Sequence, residues 1–330
     1  MSDGRAQIYE NPMDIFQRDA IIPDPRKRFV PRHPKHCPYP ESERLLDDGF
    51  LHVIGHFGSE HLIAQAARTS TDRSTQDTRP DQDTALLDRL VRDSHTSPFE
   101  MASITWHVRA PLFVLTQWLR HRASKFAHVN MLSGRYSQMQ ESFLQIEPDE
   151  WRKQDPYNKQ MTTPMDFSDI SLEDSMNLSN QMSALYAAAW KGYQSLLDQG
   201  VGREQARIVL PYAAYSEMWW QCDLHNLCHF LKLRTASDAQ PEIRVYAERM
   251  LADVRERFPN IVSSWENHIF GALTLSKSET DWLRDMLAYA VNSNPAGIAG
   301  SLNTAPRGSA RKELQKKLER LGLGDLLPDV

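Results

Sequence analysis

The stretch ITWHVRAPLFVLTQWLRHR, residues 104–122, contains two patterns that decide the fold. From Ile104 to Val108 apolar and polar residues alternate, which is the period of a half-buried β-strand. Pro111 then stands where a helix begins, and the residues after it continue with helical apolar spacing. The stretch therefore predicts a strand followed directly by a helix. Three basic residues end this helix: Arg120, His121 and Arg122.

The segments around this stretch predict further helices and few strands. The expected elements are a strand over residues 50–54, helices beginning at Ser59 and near Leu86, and helices over residues 178–199, 224–233 and 239–257. Strands concentrated early in the chain and helices concentrated late predict an α+β fold.

Flanking extensions differ in composition from the central part of the chain. Residues 1–44 form a proline-rich basic arm, with six prolines between Pro23 and Pro40, a composition that cannot sustain a helix. This arm is either a solvated leader or a segment that packs on a neighbouring subunit. Residues 45–294 form the main domain. Residues 295–330 comprise a linker and a basic helix with leucines at helical spacing.

Composition excludes several classes of protein. The 330 residues are 41% hydrophobic and 25% charged, which is typical of a globular protein rather than a disordered one. A formal net charge of −5 argues against a chain-wide surface for nucleic acid. No apolar run is long enough to cross a membrane. Three cysteines and no secretion signal predict a cytoplasmic protein without a disulfide framework.

Two basic segments near the centre of the chain point to an anion site. The run Arg120–Arg122 ends the predicted helix, and Ser133–Arg135 follows it after a short loop. Arginine binds phosphate through two parallel hydrogen bonds, and a Ser-Gly turn can present a hydroxyl and backbone N–H groups to the same oxygens. Basic residues in a last helical turn also complement the helix dipole, so these segments alone do not separate the two interpretations.

Further blocks occur in a fixed order on both sides of these segments. They are His95–Glu100, Gln117–Trp118, Arg120–Arg122, Ser133–Ser137, Ala206–Pro211, Asp223–Arg234, Ala239–Gln240 and Glu242–Arg244. Together the blocks resemble the signature of the flavin-dependent thymidylate synthases, the ThyX family, over roughly Phe50 to Tyr246.

The resemblance implies a ThyX-like fold, in which an antiparallel sheet packs with long helices. It implies a homotetramer whose active sites are shared between subunits. It also implies that FAD, a uridine monophosphate and 5,10-methylenetetrahydrofolate meet in that site, with NADPH reducing the flavin. The expected reaction is the reductive methylation of C5 of UMP or dUMP.

Residue by residue, the resemblance also implies a set of site positions. The cofactor-binding positions are Ser97, Glu100, Arg120, His121, Arg122, Asn130, His225 and His229. The substrate-binding positions are Gln117, Ser133, Gly134, Arg135, Arg207 and Arg234. Three of these are the expected catalytic residues: Arg234, Gln117 and Ser133. Arg234 falls beside the pyrimidine ring, where a cation would stabilise negative charge developing on the base.

This sequence departs from the family pattern mainly in the loop between the Arg-His-Arg run and Ser133, which joins expected cofactor-binding and substrate-binding positions. Ten residues, Ala123–Leu132, separate the Arg-His-Arg run from Ser133, whereas the family usually has seven. Met131 takes the position of a usual glutamate, and Asp238 that of a common histidine. These changes resemble ThyX-like UMP/dUMP methylases of nucleoside-antibiotic biosynthesis, so we expect UMP to be accepted alongside dUMP. A synthase specific for dUMP is the alternative.

Several other interpretations stay open at this level. His225, Cys228 and His229 share one helix at metal-ligand spacing, which would suit a metal-dependent hydrolase, although we expect no metal. A catalytically silent binding protein on the same fold is a further possibility. Cys37 is a candidate nucleophile, but its proline-rich setting offers nothing that would lower the pKa of the thiol. Tryptophans 106, 118, 219 and 220 are expected in the core or at an interface.

Overall fold

The computed structural model describes residues 35–70, 80–123, 127–166, 168–293 and 309–321. The chain divides into two compact units, with the boundary between Phe270 and Gly271. Most of the predicted basic arm and of the predicted linker lies outside the described residues, so the domain bounds 1–44, 45–294 and 295–330 stay predictions. Within the described parts of the chain, no helix combines the length and apolarity needed to cross a membrane.

The first unit contains both sheets. In chain order its elements are β1 (Phe50–Phe57), α1 (Glu60–Thr69), α2 (Pro80–Arg92), β2 (Ser103–Pro111), α3 (Leu112–Leu119), β3 (His128–Met131), β4 (Arg152–Gln154), β5 (Thr162–Pro164), α4 (Leu172–Asp198), α5 (Arg203–Ala206), β6 (Tyr215–Asp223), α6 (Leu224–Arg234), α7 (Pro241–Arg257) and α8 (Pro259–Trp265). Short 3-10 helices cover Ser97–Met101, Arg120–Ala123 and Arg207–Val209. The second unit contains α9 (Lys277–Ser293) and α10 (Ser309–Arg320).

A four-stranded antiparallel sheet in the order β1-β2-β6-β3 forms the centre of the first unit. In its middle pair Trp106 of β2 lies opposite Trp220 of β6, and at its edge Asn130 of β3 lies opposite Trp219. The strand predicted from the alternation in residues 104–108 is confirmed, and so is the α+β class with an antiparallel sheet. Strands β4 and β5 form a separate two-stranded sheet.

The core lies between one face of this sheet and helices α3, α6 and α7. Trp106, Trp118 and Trp220 are buried there, and the ring of Trp118 lies 5.0 Å from that of Phe230. Aromatic rings in such offset and edge-on arrangements contribute about 0.5–1.5 kcal/mol per pair beyond area burial. Trp219 is 47% exposed because it alternates onto the opposite face of β6. It therefore lies outside the core, and its alternative place at an interface stays a prediction.

On that opposite face the buried guanidinium of Arg109 joins the sheet to residues 36–48. Its terminal nitrogens donate to the carboxylates of Asp48 at 3.0 Å and of Glu217 at 2.9 Å. Burial raises the pKa of both carboxyl groups, but hydrogen bonds and the charge of Arg109 outweigh it and lower each pKa below its usual value. A buried cation with two carboxylate partners is fully satisfied only while both partners are ionised.

Helix bounds differ from the predicted ones where capping or a change of helix type decides them. Helix α4 begins six residues before the predicted start at 178, because the Ser171 hydroxyl accepts a hydrogen bond from the backbone of Asp174. Helix α3 ends at Leu119, and the basic run continues as a 3-10 helix. Helix α7 begins at Pro241, since proline is favoured in the first helical turn.

Candidate active site

His121 and Arg234 form the central contact of the candidate site. His121 lies in the 3-10 helix after α3, Arg234 is the last residue of α6, and Arg234 Nε donates to His121 Nε2 at 2.8 Å. Burial, assisted by the charge of Arg234 and by His229, lowers the pKa of His121 to about 4. His121 is therefore neutral near pH 7, with Nε2 as the acceptor and the ring proton on Nδ1.

A cavity of about 410 Å³ opens beside this contact. Gln117 of α3 and Arg234 line it, together with Gln240 and the β4-β5 sheet. The amide nitrogen of Gln117 donates to the amide oxygen of Gln240, while the buried Oε1 of Gln117 accepts no hydrogen bond from the described residues. A buried acceptor without a donor costs about 1–3 kcal/mol, so this oxygen is a ready partner for an N–H or O–H of a ligand.

Ser133, Gly134, Arg135 and Arg207 form a second cluster, which does not line that cavity. A tight turn carries the first three, with the Tyr136 backbone N–H donating to the Ser133 carbonyl. A Cβ atom at position 134 would lie 3.0 Å from Cδ of Arg207, so the glycine permits a close approach of the two segments. Both arginines are exposed, and Arg135 pairs with Glu204 at 3.0 Å.

The residues expected at the cofactor are divided over three places. His225 and His229 of α6 line a cavity of about 180 Å³ beside the 3-10 helix that carries Ser97 and Glu100. The ring centroid of His229 lies 6.1 Å from that of His121, which connects this place to the Arg234 contact. Arg120 and Asn130 are exposed. The side chain of Arg122 lies outside the described part of the chain.

Neither competing chemistry finds support in the geometry. Among the described residues, no group of three or more His, Cys, Asp and Glu side chains could hold a metal ion. Burial raises the pKa of each cysteine thiol, that of Cys228 to about 12. A buried, protonated thiol is a poor nucleophile, so the described chain presents no activated cysteine.

Two contributors to the cavity were not among the predicted site residues. Gln240 belongs to a block that the sequence resemblance includes, so that block was its only signal. Arg152 of β4 lines the same cavity and pairs with the buried carboxylate of Glu242 on α7. No sequence pattern identifies Arg152, because a three-residue strand has no detectable period and its position depends on pairing with β5.

The chain is an α+β protein with two clusters of arginine and amide side chains, whose chemistry suits anionic, ring-bearing ligands. Residues 52–260 match the family described as "Thymidylate synthase complementing protein". Flavin-dependent thymidylate synthase from Thermus thermophilus is 42% identical over 260 residues, covering 78% of this chain and 91% of that protein. The enzyme of the same name from Treponema denticola is 37% identical, covering 85% of this chain and 97% of that protein.

Solved structures show the same similarity. The crystal structure of a UMP/dUMP methylase PolB from Streptomyces cacaoi bound with 5-Br dUMP has 29% sequence identity to this chain and a TM-score of 0.59. The match covers 68% of this chain and 97% of the PolB chain. A second structure of the same methylase, bound with 5-Br UMP, has a TM-score of 0.57. The chain therefore belongs to the thymidylate synthase complementing protein family, which confirms the family predicted from its sequence blocks.

Proposed function

We propose that this protein is a flavin-dependent methyltransferase that methylates C5 of a uridine monophosphate. The proposal takes 5,10-methylenetetrahydrofolate as the one-carbon donor, FAD as the cofactor and NADPH as the reductant. The observation that carries it is the cavity of about 410 Å³ that combines Arg234 with the unpaired oxygen of Gln117. That cavity lies in a chain 42% identical to a flavin-dependent thymidylate synthase.

The proposed nucleotide contacts follow from the chemistry of each cluster. The Ser133 hydroxyl and the exposed guanidinium groups of Arg135 and Arg207 are donors that suit a phosphate. Arg234 would face the pyrimidine ring, where its charge stabilises the anion that develops as C5 becomes nucleophilic. The buried Oε1 of Gln117 would accept a hydrogen bond from the nucleotide. Phosphate and base would thus be bound by different segments of the protein.

We propose that the cavity of about 180 Å³ binds part of an anionic dinucleotide with a flat ring system. Apolar side chains of Leu90, Phe99 and Trp265 line the cavity of about 180 Å³, and His225, His229 and Lys232 supply polar and cationic groups. Arg120 and Arg122 would add charge for the diphosphate, with Ser97, Glu100 and Asn130 as further polar contacts. FAD, when bound and reduced, supplies the hydride of the reaction.

We further propose that the active site is completed between subunits of a homotetramer. Within one chain the Ser133–Arg135 cluster is absent from the lining of the cavity that contains Gln117 and Arg234. Large apolar side chains next to Arg207 and Arg135 are strongly exposed: Tyr136 is 78%, Ile208 76% and Tyr212 59% exposed. Apolar patches of this kind are typical of protein interfaces. Burying them in an assembly would bring the phosphate-binding cluster of one subunit to the cavity of another.

The proposed acceptors are UMP and dUMP. The neighbouring PolB structures are bound with 5-Br dUMP and with 5-Br UMP, which supports a site that admits either sugar. In this chain Met131, in the edge strand β3, takes the position of the family's glutamate, so an apolar side chain replaces a charged one there. A methylated ribonucleotide is not a direct DNA precursor, so turnover of UMP would favour a role in nucleoside-antibiotic biosynthesis. We expect the enzyme in the cytoplasm, where its substrates are made.

A tritium-release assay tests the proposed function. Purified protein with FAD, NADPH and methylenetetrahydrofolate should release tritium from both dUMP and UMP labelled at C5. Turnover of dUMP alone, with UMP neither methylated nor inhibitory at millimolar concentration, would leave a dUMP-specific synthase. Release from neither nucleotide, by protein that retains its flavin, would reject the proposed function in favour of a silent homologue.

A further inference from the structure

The side chain of Arg234 is held through one of its three nitrogens by His121. Arginine presents its donors as a rigid planar fork, so fixing one nitrogen sets the direction of the other two. Here Nε of Arg234 is committed to His121 Nε2 at 2.8 Å. Its two terminal nitrogens donate to none of the described residues, and the side chain lines the cavity of about 410 Å³.

The acceptor ring is itself held in place. His121 packs edge-on against the fully buried ring of Phe230, with ring centroids 4.9 Å apart. Within the described part of the chain, Arg234 and His229 face this ring, and both favour the neutral imidazole that can accept a hydrogen bond. A fixed, neutral acceptor thus orients a cation without neutralising it, whereas a carboxylate in the same place would cancel the charge that a pyrimidine anion needs.

We propose that His121 is a positioning residue for Arg234, anchoring the guanidinium through Nε so that its terminal nitrogens face the bound uracil ring. This inference rests on the proposed function, and it differs from the cofactor contact that sequence resemblance implies for His121. A cofactor contact would act on flavin affinity whether or not Arg234 is present. A positioning residue acts only through Arg234.

A double-mutant cycle on flavin-loaded protein separates the two roles. His121→Phe keeps a ring but removes the acceptor, and it should weaken dUMP binding by about tenfold or more, the scale of one hydrogen bond to a charged group. Combined with Arg234→Ala, the same substitution should change dUMP affinity less than about twofold. The flavin dissociation constant should stay within about threefold throughout. Additive losses of dUMP affinity, or an equal loss of flavin affinity, would overturn the proposal.

Conservative variants keep the test independent of folding. His121→Gln places an amide oxygen near the position of Nε2 and should recover most of the dUMP affinity. Arg234→Lys retains a charge, but its donors all sit on one nitrogen and lack the planar fork that contacts His121 through one nitrogen and directs the other two elsewhere. It should therefore lose about as much affinity as His121→Phe. His56→Phe is the matched control, because His56 also lies edge-on to a phenylalanine, Phe258, but is exposed and distant in sequence from the site.

The outcomes also distinguish this inference from the proposed function. Wild-type protein that binds dUMP but releases no tritium would reject methylation while the binding cycle still measures the role of His121. Full dUMP affinity in both His121→Phe and Arg234→Lys would reject the positioning role while methylation stands.

Discussion

Replacing Gly134 with alanine should impair nucleotide binding without destabilising the fold. A Cβ at this position would lie 3.0 Å from Arg207 Cδ and 3.1 Å from Met139 Sδ, both inside normal van der Waals distance. Gly134 is not among the described residues with positive φ, so alanine adds no backbone strain. Both neighbours are flexible side chains that can yield by a few tenths of an ångström. The free energy of unfolding should therefore change by less than about 1 kcal/mol.

The functional cost is larger because the displaced atom belongs to the stem of Arg207. A shift at Cδ would move the guanidinium away from its proposed contact with the phosphate, and a hydrogen bond to a charged group contributes about 1.5–3 kcal/mol. Since about 1.4 kcal/mol corresponds to a tenfold change in Kd, we expect the Kd for dUMP to rise by about 10- to 100-fold.

Isothermal titration with dUMP and thermal unfolding measure the two effects side by side. Gly202→Ala is the matched control, because Gly202 precedes helix α5, which leads into Arg207, and a Cβ there meets nothing within 4 Å. Wild-type dUMP affinity in Gly134→Ala, or an equal loss of affinity in Gly202→Ala, would refute the inference that the space left by Gly134 sets the position of Arg207.

Three further outcomes are expected. Replacing all three cysteines with alanine should leave turnover within a few-fold, because burial keeps their thiols protonated, and complete loss of activity in folded, flavin-bound protein would contradict this. If subunits share the site as proposed, diluting the protein should release flavin and dissociate the proposed oligomer together, as gel filtration with absorbance at flavin wavelengths can follow, whereas a monomer with stoichiometric FAD would contradict a shared site. Arg109→Met should cost about 3–5 kcal/mol at neutral pH, since it leaves Asp48 and Glu217 charged without their buried partner. The pKa of each carboxyl group is lowered in the folded state, so the stability that the two groups contribute is present above their unfolded pKa values and is lost as pH falls through the folded ones. Denaturant unfolding should therefore show the variant approaching wild type below about pH 4.

Strong periodic patterns in the sequence predicted the elements that build the core. The alternation over residues 104–108 identified β2, and the spacing of apolar residues identified α6 and α7 to within two residues at each end. Short elements were not predicted, because they contain too few residues to show a periodic pattern. Strands β4 and β5 have three residues each and form only by pairing with one another, so no local pattern identifies them.

The sequence by itself determined the family and the antiparallel α+β class, and it supplied the candidate residues for a nucleotide and a flavin. Those properties reside in residue type and order along the chain. Only the tertiary structure decided how the residues meet: Arg234 donates to His121 across 113 positions of sequence, and Gly134 lies against Arg207. It also separated the Ser133–Arg135 cluster from the cavity of Gln117 and Arg234. Contacts between residues distant in sequence depend on how helices and sheet pack, and local propensity carries no information about those distances.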